Sequence, residues 1–172
     1  LSATAPTMPT NYAFKRLIGW FKRVGGTIVA FTLYETEGGG IELDWTTPTL
    51  DVNLANTLTT SRRTDAIKVP LSFSVIAFIR STVVDGAAHV TLIGCPDEAD
   101  IAPNSADTPL YTLIATAANV DDGGDMRVRT SSTGTIYARS TVATIDRYQV
   151  VTKGFSWNRR NWISWRFIIK SN

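Results

Sequence analysis

Tyr12-Ala-Phe-Lys-Arg-Leu-Ile-Gly-Trp-Phe-Lys-Arg-Val-Gly-Gly26 admits two structures, and they lead to different proteins. Phe14, Leu17, Ile18 and Phe21 recur at the i, i+3, i+4, i+7 spacing of an apolar helix face. Lys15, Arg16, Lys22 and Arg23 would give that helix the positive charge that draws it to an anionic membrane. The alternative is a strand that runs into a Gly25-Gly26 turn. The Leu17-Ile18 doublet then fits a strand buried on both faces, and Gly19 marks a close approach or a bulge. Residues 27–35 favour the second structure. They are rich in β-branched and aromatic residues, and alternate Val29, Phe31, Leu33 against Ala30, Thr32, Tyr34. A glycine turn between two strands is the simpler local solution, so the opening segment is expected to be a strand.

The rest of the chain repeats this grammar. Gly38-Gly39-Gly40 ends the first full strand, and residues 41–45 form a short one closed by Pro48. Residues 50–60 hold Val52, Leu54 and Leu58 among threonines that favour β structure, and residues 61–65 read as a polar turn. Pro70 bends the approach to a strand in which Phe73, Val75 and Ala77 alternate with Ser72, Ser74 and Ile76. Asp85-Gly86 carries hairpin-turn chemistry. Further strands are expected at 89–94, 110–116, 126–129, 136–139, 146–152 and 162–170. Turns are expected at 121–125 and 131–134, with an irregular stretch at 96–109. About ten short strands without a long helix predict an all-β fold, an antiparallel β-sandwich of jelly-roll-like form. Residues 1–11 read as a linker or arm, and 12–172 as a single sandwich domain.

Composition narrows the chemistry. The chain has 172 residues, enough for a core without covalent staples. A net charge of +2 is too small for the basic footprint of a nucleic-acid binder. No run reaches the length of an apolar membrane span. The single cysteine, Cys95, is expected to be a buried inert thiol. One His and one Cys cannot make a clustered zinc site. Only His89 could act as the base of a serine triad, and its place in a strand argues for an ordinary core histidine. Asp121, Asp122 and Asp125 could hold calcium, but their spacing is not that of an EF-hand. Asp97, Glu98 and Asp100 read as a solvated loop. No cofactor and no metal are expected.

The segment Phe155-Ser-Trp-Asn-Arg-Arg-Asn-Trp-Ile-Ser-Trp165 packs three Trp and two Arg into eleven residues. Trp and Arg dominate interface hot spots, and aromatic faces beside planar donors also bind sugars. Trp157, Arg159, Arg160 and Trp162 are therefore expected to form a contact, first with a neighbouring subunit and second with a glycan. The alternative is that Trp162 and Trp165 are core or subunit-contact residues.

Tyr12-Ala-Phe-Lys-Arg-Leu-Ile-Gly19, the glycine turn, Ile28-Val-Ala-Phe31, Leu43-Asp-Trp45, Pro48 and Leu50-Asp-Val52 together resemble a β-rich domain of bacteriophage tail-fibre and related virion appendage proteins. In that family a Tyr/Phe-x-Arg-x-Ile-Gly strand precedes a glycine hairpin, a Phe-bearing strand and a Trp-x-x-Pro segment. Thr152-Lys-Gly-Phe-Ser-Trp-Asn-Arg-Arg160 is similar to a late family segment, with Phe155 where Trp or Tyr is usual. The extra strand expected at 162–170 is a second departure. The resemblance implies a non-enzymatic appendage domain, located in the virion, for host-surface attachment. It implies a homo-oligomer, expected to be a trimer, with other virion proteins and a host cell-surface glycan as partners. Nucleic acid and membrane insertion are not expected. Two alternatives stay open: a connector or capsid-surface protein of the virion, and a glycan-degrading fibre enzyme.

Overall fold

The alternation seen from residue 75 onward becomes a strand that keeps one phase along its length. Val75, Ala77, Ile79, Ser81 and Val83 are all buried, and the residues between them are not. The computed structural model describes residues 21–37, 39–104, 112–115, 117–118 and 121–158, and none of these is helical. They form eleven strands: β1 Arg23–Val24, β2 Thr27–Ile28, β3 Phe31–Thr36, β4 Gly40–Leu58, β5 Arg63–Ala66, β6 Ile76–Val84, β7 His89–Gly94, β8 Thr112–Ala115, β9 Asp122–Arg129, β10 Thr135–Ser140 and β11 Ile145–Asn158.

Two antiparallel sheets make the sandwich. One has the order β5-β10-β7-β8 and the other β3-β4-β11-β6-β9. A single apolar cluster lies between them. Leu43, Val52, Ala77, Ile79, Val128, Tyr148, Val150 and Phe155 come from the larger sheet, and Ile93, Leu113, Ile136 and Ala138 from the smaller. Burial of this kind contributes about 25 cal/mol per Å² of apolar surface, so the two inner faces are the main source of stability.

β1 and β2 form a small separate hairpin, Arg23 opposite Ile28 and Val24 opposite Thr27. Gly25 and Gly26 sit at φ +55° and +86°, the left-handed geometry that a two-residue hairpin turn requires. The expected glycine turn between strands is therefore present. Residues 12–20, the arm at 1–11 and the strand expected at 162–170 lie outside the described residues.

Four local expectations are corrected. Pro48 does not close a strand: it lies inside the nineteen-residue β4. It is tolerated there because the ladder is interrupted. Gly154 of β11 faces Asp44 and Thr152 faces Thr49, leaving residues 45–48 of β4 without regular β11 partners. The expected polar turn at 61–65 ends in β5, a four-residue edge strand paired with β10. Asp85-Gly86 does not join a hairpin, because β6 and β7 belong to different sheets. Asp85 Oδ2 instead accepts a hydrogen bond from the Ala87 amide at 3.2 Å, a local turn that redirects the chain between layers. Gly123-Gly124 is not a turn either, but pairs with Thr82 and Ser81 along the edge of the larger sheet. A Cβ on Gly123 would meet the Ser81 carbonyl oxygen at 3.1 Å, so the glycine answers a close approach.

The interruption at Pro48 has a counterpart on β11. Inward residues of β4 change from Ile41, Leu43 and Trp45 to Val52 and Leu58. Those of β11 change from Tyr148 and Val150 to Phe155, with a register shift between Thr152 and Gly154 on both sides of the strand. β6 keeps one phase throughout. Lys153 is the extra residue, and a bulge of this type re-aims the side chains around it.

Candidate functional site

The bulge creates the candidate site, a depression of about 350 Å³ on the outer face of the larger sheet. Its lining includes Glu42 and Asp44 from β4, Lys153 from β11, Phe78 from β6, and Asp125 and Arg127 from β9. Strand alternation explains the outward charges. Ile41, Leu43 and Trp45 face the core, so Glu42 and Asp44 face away from it. Val128 is buried, which turns Arg127 outward.

The middle of this face is low because the residues there are small. Across the sheet the pairing runs Thr32, Asp44, Gly154, Phe78, Arg127. Gly154 contributes no side chain, and Ser156 beside it contributes a short one. Arg127 can therefore lie over Phe78, its guanidinium carbon 4.5 Å from the ring centroid, and reach Glu42 at 3.1 Å. Lys153, re-aimed by the bulge, reaches Asp125 at 3.0 Å. Both bridges are solvent-accessible, so each contributes under about 1 kcal/mol to stability and can be exchanged for ligand contacts. Asp44 has no ion-pair partner among the described residues, so the depression carries three carboxylates against two cations. It offers a polar, partly apolar-walled surface suited to binding hydroxyl and charged groups.

Of the residues expected from sequence to make contacts, Trp157 alone is among the described residues. Trp157 lies on the inner side of β11, half-buried against the core. Its ring is 5.4 Å from that of Phe155, which in turn packs on Trp45, itself edge-on to Phe31. Trp157 thus continues an aromatic row of the core. Arg159, Arg160 and Trp162 lie outside the described residues.

The other candidates are dispersed. His89 is buried, with Nδ1 3.2 Å from the Ala87 carbonyl oxygen, and among the described residues no hydroxyl bonds to its Nε2. Asp121 pairs with Arg147 at 2.8 Å while Asp125 pairs with Lys153, so the acids of this stretch are drawn apart. No group of three His, Cys, Asp or Glu able to hold a metal ion occurs among the described residues.

Cys95 is buried, and burial pushes its thiol above the ordinary value near 9.0. The loop that follows it is exposed, as expected, and carries surface ion pairs. Glu98 pairs with Arg129 at 3.3 Å and Asp100 with Arg139 at 3.1 Å. Arg62 stacks 4.0 Å above the Tyr137 ring and donates to the carbonyl oxygens of Cys95 and Glu98.

Compared with protein families, the sequence matches no family model, and compared with curated proteins it matches none.

Proposed function

We propose that this chain is a non-enzymatic domain of a bacteriophage virion appendage, a tail fibre or spike, that attaches the particle to a host surface. The depression around Gly154 carries the reading. It is a rigid sheet face with exchangeable ion pairs and an aromatic wall, features suited to holding a surface glycan without cleaving it. Glu42 and Asp125 are each matched to a cation, an arrangement that serves recognition.

The motif residues behind the resemblance support the same reading in a structural way. Leu43, Trp45 and Phe155 are core residues, and Gly25-Gly26 makes a hairpin turn. Such motifs describe a scaffold, not a reaction.

Exposed apolar residues support assembly with further copies or other virion proteins. Phe21, Val24, Ile28, Leu33 and Tyr34 are exposed within one short stretch that includes the β1–β2 hairpin and edge strand β3. Burying them between subunits would remove that surface from water. A homo-oligomer, taken as a trimer, would also multiply weak glycan contacts into useful avidity.

Incubation with a panel of bacterial surface polysaccharides tests the reading, with bound protein and polysaccharide chain length both followed over time. Binding with unchanged chain length is expected. Progressive shortening would make the protein an enzyme, and no adsorption to any bacterial surface would remove the attachment role.

A further inference from the structure

We infer that the depression recognises an amino sugar, with the free ammonium group seated at Asp44. The inference rests on the attachment reading and names the ligand chemistry of the same site. Its basis is charge. Of the three carboxylates lining the depression, Glu42 is matched by Arg127 and Asp125 by Lys153, while Asp44 has no cationic partner among the described residues.

Asp44 also lies against the small residue at the centre of the face. Its backbone faces Gly154 across the ladder, and its Oδ1 lies over that glycine, 2.6 Å from where a Cβ would be. A carboxylate positioned at the low point of a sheet face, with one uncompensated negative charge, favours a compact cation over an anion. Sugar hydroxyls then fall within reach of Glu42, Lys153 and Arg127 around the rim, and Phe78 offers apolar surface to the ring carbons. An anionic sugar would meet Asp44 directly. An N-acetylated sugar would bring no charge to it.

Calorimetric titration of the whole chain with a glucosamine tetramer and with its fully N-acetylated counterpart tests this. The two differ at the nitrogen alone. The free-amine tetramer should bind about tenfold more tightly, the scale of one charge-assisted hydrogen bond. Asp44→Asn, which keeps the shape, should abolish that difference while leaving the melting midpoint unchanged. Lys153→Met should act in the opposite direction. It releases Asp125 into the same depression and should tighten the free-amine tetramer about two- to fivefold. Equal binding of the two tetramers, or a preference that survives Asp44→Asn, would overturn the inference, as would failure of both to bind. Adsorption of the same protein to bacterial surfaces is scored separately, so a lost amine preference with intact adsorption leaves the attachment reading standing.

Discussion

Gly154 and Asp44 face each other across β11 and β4 with no room for a side chain on the glycine. A Cβ there would lie 3.0 Å from Asp44 Cα and would also collide with the Leu43 carbonyl oxygen. The obstruction is backbone, which cannot swing aside. The bulge at Lys153, the phase change of both strands and the floor of the depression all pass through this contact.

Gly154→Ala should therefore destabilise the fold by about 1–3 kcal/mol or more, the usual scale of forced overpacking. Urea denaturation measures it. Gly86→Ala is the control: the nearest atom to its added Cβ is Asp146 Oδ2 at 3.7 Å, so little change is expected. Equal effects at the two positions would show that the close approach does not matter.

Arg62 should act as a lid on Cys95. It stacks on Tyr137 and donates to the carbonyl oxygens of Cys95 and Glu98, and Cys95 is 1% exposed. Arg62→Ala should cost about 1–2 kcal/mol, from the lost cation–π contact and hydrogen bonds. It should also raise the rate of thiol labelling several-fold in the folded protein. An unchanged labelling rate would mean that the loop is held without the arginine.

Tyr148 is buried in the core, and its hydroxyl has no hydrogen-bond partner among the described residues. A buried unsatisfied hydroxyl is a standing cost. Tyr148→Phe removes it and keeps the ring, so stability should stay level or rise by up to about 1 kcal/mol. A loss above that scale would reveal a partner for the hydroxyl.

The same tyrosine sets an alkaline limit. Burial pushes the Tyr148 phenol far above its ordinary value near 10.0, and burial also raises Tyr137 and Cys95. All three groups favour the proton more strongly when folded than when unfolded. Their contribution is complete below the unfolded values, near 9.0 for the thiol and 10.0 for the phenols, and is lost as pH rises through and beyond them. Stability measured from pH 8 to about 11 should fall, with Tyr148→Phe flattening the upper part of the curve. A flat wild-type profile would contradict the burial of these groups.

Some of this molecule was legible in its residues. The straight alternation of β6, the Gly25-Gly26 turn, the burial of Cys95 and the split of Met126 and Val128 from Arg127 and Arg129 all follow from local pattern. Errors arose where one local motif serves two purposes. Asp85-Gly86 has the chemistry of a hairpin and makes an inter-sheet crossing, because a side-chain turn redirects the chain without fixing its next neighbour. Gly123-Gly124 has the look of a turn and lies in a strand, because glycine also answers close approach.

The sequence by itself determined the fold class, since a two-residue period with glycine and proline punctuation is written locally and can be satisfied only by strands packed face to face. It also determined that Glu42 and Asp44 point away from the core, as Ile41, Leu43 and Trp45 claim the other side. Only the tertiary structure decided which strands are neighbours and where their registers slip. Pairing between strands depends on contacts distant in sequence, and a single extra residue, Lys153, reverses the side on which every later β11 side chain falls. Phe78 and Arg127 are partners on the β6–β9 ladder without any slip, while the slip adds Lys153 and sets Asp44 opposite Gly154. Each carries an ordinary local pattern, and the centre of their shared depression is low because Gly154 of β11 brings no side chain to it.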